Sequence, residues 1–168
     1  MLRAIHIFPQ FHNIELIQEL RKKYDPLYSL VLPHITLVFP FESNISSLTL
    51  EQHVKETLVG VCPFSIKLEG ISGTLDNYLF LNVKNGNDHL IKIHDLLYSG
   101  ILENFLNRRI TFIPHLTVGK LENEAELKSA LTETQAFKAS FETLVTEVTS
   151  EIIGNKGESD IEFTVSLV

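Results

Sequence analysis

Hydrophobic residues along this chain occur in short runs that switch repeatedly between the period of a strand and the period of a helix. Alternating or β-branched runs predict strands over residues 2–8, 31–39, 64–71, 78–83 and 110–118, and a final antiparallel pair over 138–153 and 160–167. Spacing of three and four predicts helices over residues 14–24, 47–59, 88–106 and 122–135. In the third helix, the predicted buried face holds Leu90, Ile93, Leu97 and Ile101. The order β-α-β-α-β-β-α-β-α-β-β indicates an α+β fold with mostly antiparallel sheet.

One five-residue pattern, proline-histidine-aliphatic-threonine-aliphatic, occurs twice, as PHITL at residues 33–37 and PHLTV at 114–118. The copies start 81 positions apart in a chain of 168 residues, which is about half its length. Given the first copy, the residue frequencies of this chain produce a second in roughly one of several hundred sequences. Each copy ends an aliphatic run and precedes a short loop and a helix, so the pattern indicates internal duplication.

Strand geometry predicts what the repeated pattern presents to solvent. Side chains alternate between the two faces of a strand, so His34 and Thr36 point to one side, as do His115 and Thr117. The aliphatic residues between them face the core. If a pseudo-two-fold axis relates the two halves, both polar faces converge on one cleft that holds two imidazoles and two hydroxyls.

Two imidazoles placed around one ligand suit transfer at a phosphodiester. A neutral histidine takes a proton from the attacking water or hydroxyl, and a protonated histidine gives one to the leaving oxygen. Histidine titrates near neutral pH, where both tasks are most efficient. The threonine hydroxyls would donate to the non-bridging phosphate oxygens. This chemistry requires neither a metal nor another cofactor.

At these residues the sequence resembles the 2H phosphoesterase superfamily, which includes the 2′-5′ RNA ligase (LigT-like) and cyclic phosphodiesterase families. Residues 21–30 and 112–119 are most similar to the YjcG-type bacterial phosphoesterases. The resemblance covers nearly the whole chain, residues 1–168, as a single domain of two pseudo-symmetric lobes. It implies a bilobal α+β fold in which two mostly antiparallel sheets with flanking helices surround a central cleft. One lobe would carry both chain ends, and the other the middle of the chain.

The resemblance also implies the roles of individual residues. It makes His34 and His115 catalytic and lets Thr36 and Thr117 bind phosphate, for hydrolysis or ligation of 2′-5′ or 2′,3′-cyclic phosphate linkages without a metal. LigT-like members often carry an arginine shortly after the second motif, and Lys120 would replace it as a point charge. Strict alternation, however, places Lys120 on the face away from His115.

Aromatic residues beside the motifs are candidates for stacking on a nucleobase. Tyr28 and Phe41 lie close to the first motif in sequence, and stacking there would add to substrate binding. Packing in the core is the competing interpretation for each. His6 shares a predicted strand face with Phe8 and would border the cleft, whereas the histidines outside the motifs have no zinc-binding spacing.

Composition and charge narrow the class of substrate. Fourteen basic residues against 21 acidic ones give a net charge of −7, the opposite of what an extended nucleic-acid footprint needs. A small nucleotide or an RNA end therefore fits better as the partner. The single cysteine cannot form an intramolecular disulfide, and no apolar run approaches the ~18 residues of a membrane helix. We expect a soluble, cytoplasmic monomer that does not bind membranes.

Two other functional classes stay open at this point. The same cleft would serve a non-catalytic module that binds a nucleotide or phosphate without turnover. It would also serve an enzyme that joins RNA ends through a 2′-5′ bond, although the acidic net charge disfavours an extended RNA-binding surface. Turnover assays in both directions separate these classes.

Overall fold

A computed structural model describes residues 1–168, and it confirms the predicted α+β class with antiparallel sheets. The chain forms eight strands, four α-helices and one 3₁₀ helix. None of the helices is long and apolar enough to cross a membrane. In chain order the elements are β1 (Leu2–Ile7), α1 (Ile14–Tyr24), β2 (Ile35–Glu42), α2 (Ser47–Thr57), β3 (Phe64–Gly73), β4 (Tyr78–Asn85), α3 (Asn87–Leu97), the 3₁₀ helix (Gly100–Phe105), β5 (His115–Lys120), α4 (Glu124–Thr134), β6 (Ser140–Val145), β7 (Glu147–Ile153) and β8 (Ser159–Ser166).

The strands form two four-stranded sheets with matching layouts. The first sheet has the order β2-β1-β7-β8 and the second has the order β5-β4-β3-β6. Every neighbouring pair is antiparallel. Both chain ends therefore belong to the first sheet and the middle of the chain to the second, as the family resemblance implies. In each sheet the edge strand, β2 or β5, carries one copy of the repeated pattern.

The helices cross between the two halves in a reciprocal way. Helix α1 leads from β1 to β2 but packs against β5 of the second sheet, and α3 leads from β4 to β5 but packs against β2 of the first. This exchange is what a pseudo-two-fold relation between the halves produces. A continuous core of 32 buried hydrophobic residues includes side chains from both sheets. The exchange keeps the two edge strands side by side.

Four predicted segments differ from the structure. The helix predicted over 88–106 ends at Leu97, because the backbone of Tyr98 leaves the helical conformation with a ψ of 34°. Gly100, with a positive φ of 50°, then begins a 3₁₀ helix. Ile101, predicted to be buried, is consequently 39% exposed, whereas Leu97 is fully buried. The strand predicted over 138–153 divides at residue 146 into β6 and β7, which lie in different sheets. The motif strands begin at residues 35 and 115, later than the predicted starts at 31 and 110.

The contact between α1 and β5 depends on the absence of a side chain at Gly119. A Cβ there would lie 2.7 Å from Cβ of Tyr24 and 3.2 Å from its carbonyl oxygen. We expect Gly119→Ala to lower the free energy of unfolding by about 1–3 kcal/mol, because a helix must move to accept the methyl group. Urea unfolding followed by circular dichroism measures this loss.

Gly60→Ala is the comparison for that variant, because Gly60 has open space around it and only a positive φ of 76° to strain. Its expected cost is about 1 kcal/mol. A Gly119→Ala protein as stable as the wild type would show that the α1–β5 contact is loose.

Candidate functional site

The two motif strands meet where the two sheets adjoin. Strands β2 and β5 are in contact, and a cavity of about 500 Å³ lies against both. Thr36 from the first motif lines this cavity together with His115 and Thr117 from the second. The structure therefore brings residues of both copies to one cavity, although they are separated by about 80 positions in the sequence.

His34 lies immediately before β2, two residues from Thr36. Its ring centroid is 5.9 Å from that of Phe8, and its Nδ1 contacts the carbonyl oxygen of Leu32. Phe8 and Leu32 line a second cavity of about 310 Å³ on the first sheet. His34 is thus placed beside Thr36 of the larger cavity and beside two residues of the smaller one.

Both motif imidazoles are held in the same way. Nδ1 of His34 lies 2.8 Å from the carbonyl oxygen of Leu32, and Nδ1 of His115 lies 2.6 Å from that of Ile113. Each acceptor is the carbonyl two residues earlier. A carbonyl oxygen can only accept, so Nδ1 carries the hydrogen in both rings and Nε2 is left with its lone pair when the ring is neutral. Each Nε2 is then able to take a proton and later return it.

The rings that lie against the two motif histidines occupy matching positions. On β1, His6 pairs with Thr36; on β4, Phe80 pairs with Thr117. His115 stacks on Phe80 with a centroid distance of 3.4 Å and an interplanar angle of 18°. His34 lies 4.3 Å from the ring of His6 at an angle of 53°. The ring that lies against the motif histidine is therefore an imidazole in the first half and a phenyl ring in the second.

Burial affects the charge of both motif histidines. It lowers the pKa of His115, and only the hydrogen bond to Ile113 opposes the shift. Burial also lowers the pKa of His34 well below its ordinary value, and positive charge on His6 lowers it further. Both rings therefore favour the neutral form near pH 7, and His34 has the additional influence of a neighbouring titratable ring.

Lys120 lies on the same side of the second sheet as His115, contrary to the expectation from strict alternation. Tyr78 pairs with Lys120 and Phe80 pairs with Thr117, so one residue, Val118, is left over in β5. This β-bulge shifts the alternation by one position after Thr117. Nζ of Lys120 lies 4.1 Å from the ring centroid of Tyr78, which lines the larger cavity, and donates to the carbonyl oxygen of Asp76.

The position of Lys120 leads to a test of substrate binding. We expect Lys120→Met to raise KM for a phosphorylated substrate about tenfold with kcat nearly unchanged, because one charge-assisted contact contributes ~1.5–3 kcal/mol and binds ground and transition state alike. Steady-state kinetics measure both constants. Lys92→Met, on helix α3, is the matched control. An unchanged KM for Lys120→Met would remove this lysine from the site.

The two aromatic residues predicted from sequence to stack on a base do not line either cavity. Phe41 is only 5% exposed, and its ring centroid lies 5.0 Å from that of Phe105. It belongs to the core, so its predicted role in substrate binding is wrong. Tyr28 lies in the turn after α1, where its backbone NH donates to the carbonyl of Asp25. It is absent from the lining of the larger cavity.

The aromatic side chains that do line the larger cavity are Phe39, Tyr78 and Phe80. Sequence analysis did not identify Tyr78 or Phe80 as site residues. Their spacing of two along a strand shows that they share a face, but only the pairing of β4 with β5 shows that this face is the one presenting His115. No grouping of three or more His, Cys, Asp or Glu side chains is placed to hold a metal ion.

Comparison with known proteins connects this arrangement to a family. Residues 8–153 match the model of the 2′-5′ RNA ligase superfamily. A provisionally named phosphoesterase of Geobacillus thermodenitrificans is 30% identical over 150 residues, which cover 86% of this chain and 84% of the relative. A relative of the same provisional name from Bacillus licheniformis is 28% identical over 148 residues, covering 86% of both chains.

Solved structures show the same fold at low sequence identity. The apo form of LigT from E. coli is 15% identical and superimposes with a TM-score of 0.63, covering 99% of this chain and 97% of LigT. LigT has also been crystallised in complex with 3′-AMP, and that structure superimposes with a TM-score of 0.61. The two-sheet arrangement described above is therefore a LigT-like fold.

Proposed function

This chain belongs to the 2′-5′ RNA ligase superfamily, and we propose that it is a phosphoesterase that cleaves 2′,3′-cyclic or 2′-5′ phosphodiester bonds in nucleotides or short RNA ends. In this proposal His34 and His115 are the general acid and base, Thr36 and Thr117 bind the phosphate, and no metal takes part. The relatives named as phosphoesterases support the general class of reaction.

One observation carries the proposal. Two histidines, each followed at the second residue by threonine, lie at the entrances of two contacting edge strands, with Nδ1 fixed to a carbonyl two residues earlier. Core packing gives no reason for imidazoles to be placed and oriented alike in both halves. Acid-base catalysis does, because it needs two Nε2 atoms, one with a free lone pair to take a proton and one that carries a proton to give.

The reaction on a 2′,3′-cyclic phosphate follows from this geometry. A neutral imidazole takes a proton from water at Nε2 while the oxygen attacks phosphorus. The bond from phosphorus to the 2′ or 3′ oxygen breaks, and the second imidazole, protonated at Nε2, gives its proton to that oxygen. Hydroxyl donors from Thr36 and Thr117 stabilise the charge that develops on the non-bridging oxygens. One proton is taken and one is returned, so the chemistry is balanced without a metal.

The surroundings of the site support a small nucleotide as substrate. The larger cavity of about 500 Å³ is of the size that holds one small molecule. Rings of Tyr78 and Phe80 line it, and aromatic faces stack on any nucleobase. The net charge of −7 disfavours a long polyanionic partner. A structure of LigT contains 3′-AMP, a nucleotide of this class.

A turnover screen tests the proposal directly. Nucleoside 2′,3′-cyclic monophosphates, ADP-ribose cyclic phosphate and 2′-5′ oligoadenylate are incubated with the protein in excess EDTA, and products are resolved by chromatography. We expect turnover of at least one of them, with a 2′- or 3′-monoester as product. Turnover that EDTA abolishes would contradict the metal-independent mechanism. Binding without turnover would identify a nucleotide-binding module, and joining of cyclic-phosphate and 5′-hydroxyl RNA ends would identify a ligase.

A further inference from the structure

The two halves of the site differ most clearly at one pair of matching positions. Phe80, which supports His115, is apolar and cannot titrate. His6, which supports His34 from the equivalent position on β1, can carry a charge. The pseudo-symmetry that makes His34 and His115 alike is therefore broken directly beneath their rings.

His6 is held by a buried carboxylate. Its Nε2 lies 2.8 Å from Oε1 of Glu151, and the two residues are only 3% and 4% exposed. The other oxygen of Glu151 accepts the hydroxyl of Ser159. Nδ1 of His6 has no hydrogen-bond partner, so the contact with Glu151 is the one that fixes the ring.

Glu151 places a negative charge directly beside His6. Burial alone would raise the pKa of Glu151, but the hydrogen bond and charge of His6 and the hydroxyl of Ser159 outweigh burial and keep the carboxylate ionised. His6 faces this negative charge directly, whereas Nδ1 of His34 faces a neutral carbonyl. Positive charge on His6, whose ring centroid lies 4.3 Å from that of His34, opposes protonation of His34.

Other charged groups do not reverse this order. Arg21 of α1 is buried and paired with Asp25 at 2.8 Å, and its positive charge also disfavours protonated His34. Glu151 favours protonated His34, but charge on His6 has the larger effect on the pKa of His34, and the carboxylate contacts His6 itself. His115 contacts Phe80 and the carbonyl of Ile113, and no charged side chain shifts the pKa of His115. His115 is therefore the motif histidine that protonates more readily.

We propose that His6, anchored by Glu151, is a positioning residue that keeps His34 neutral and so assigns the two roles: His34 is the general base and His115 the general acid. The inference rests on the proposed function, which leaves the roles exchangeable. In the hydrolytic step, His34 receives the proton of the attacking water and His115 gives its proton to the leaving oxygen. His6 and Glu151 do not contact the reacting atoms.

The pH dependence of kcat/KM in a His6→Gln protein tests this assignment. Glutamine keeps a donor for Glu151 but carries no charge, so His34 becomes easier to protonate. We expect the acid limb of the profile, which reports the base, to move upward by roughly one pH unit while the basic limb stays in place. His89→Gln, at an exposed histidine on α3, should leave both limbs unchanged. Movement of the basic limb instead, or of neither limb, would overturn the assignment.

A second measurement does not depend on turnover. The ring nitrogens of ¹⁵N-histidine-labelled wild-type protein are followed by NMR as the pH is lowered, with the resonances assigned through single-histidine variants. We expect His115 to be protonated before His34, and His34 to be protonated at a higher pH in the His6→Gln protein than in the wild type. Protonation of His34 first would overturn the inference even if both motif histidines are essential. If neither motif histidine is needed for turnover, the proposed function itself fails, whatever the order of protonation.

Discussion

Replacing His115 by alanine is expected to lower kcat/KM by roughly 10²–10⁴-fold, and His34→Ala is expected to do the same. Each substitution removes the only group in its half of the site that is placed to exchange a proton at Nε2. The loss should be of similar order for both, because removing a general base and removing a general acid each cost a rate factor of this size. Initial rates on the substrate found by the screen, with EDTA present, measure the effect.

The fold should survive both substitutions. The motif histidines are partly exposed, and their hydrogen bonds go to backbone carbonyls at the strand entrances. Circular dichroism and the urea midpoint verify that each variant is folded. His53→Ala, which removes a histidine of α2 bonded to the carbonyl of Leu97, is a matched control and should keep full activity. Near-full activity in both motif variants would exclude the two-histidine mechanism.

The second large effect concerns stability. Arg3→Met should lower the free energy of unfolding by about 3–5 kcal/mol, because it leaves the carboxylate of Glu162 buried without its cation. The side chains of Arg3 and Glu162 are 0% and 3% exposed, and Nη2 lies 2.9 Å from Oε1. The double variant Arg3→Met/Glu162→Leu should regain most of the loss, since no charge is then left unpaired. Urea unfolding of the wild type and both variants completes the test.

The same ion pair predicts how stability depends on pH. Burial would raise the pKa of Glu162, but hydrogen bonds from Arg3, Ser47 and Ser150 outweigh it and the pKa lies below its ordinary value. The unfolded chain therefore binds this proton at higher pH than the folded one. The contribution to stability is complete above the ordinary glutamate range, and it declines as the pH falls through that range toward the folded pKa. Equal losses for the Arg3→Met variant and the Arg3→Met/Glu162→Leu double variant would show that the loss does not come from an unpaired carboxylate.

Arg3 and His6 also show how one strand serves two purposes. They lie on β1 three positions apart and therefore on opposite faces of the first sheet. Arg3 pairs with Glu162 on one face, while His6 pairs with Glu151 on the face that supports His34. Arg3→Met should consequently change stability without changing the pH profile. Sequence alternation predicts this separation, but the acidic partners come from strands β7 and β8, about 145 and 159 positions away.

Local pattern was sufficient for the elements whose hydrophobic period is uninterrupted. Helix α1 has the predicted bounds, residues 14–24, because apolar spacing and the following Asp25-Pro26 act within one segment. The pattern was insufficient where the chain changes partner. Residues that favour strands, such as Val145, Thr146 and Val148, continue across residue 146, although β6 pairs with β3 and β7 pairs with β1. The hydrophobic pattern of a strand indicates that one of its faces is buried, but it does not indicate which sheet the strand joins.

The amino-acid sequence alone determined the repeated motif, the α+β class and the pairing of each imidazole with a hydroxyl, because strand alternation and duplication are properties of neighbouring residues. Only the tertiary structure decided that Val118 forms a bulge that turns Lys120 toward the site, that Phe41 belongs to the core, and that His6 rather than a second phenylalanine supports His34. Each of these depends on the register between strands, which is set by packing across the whole chain.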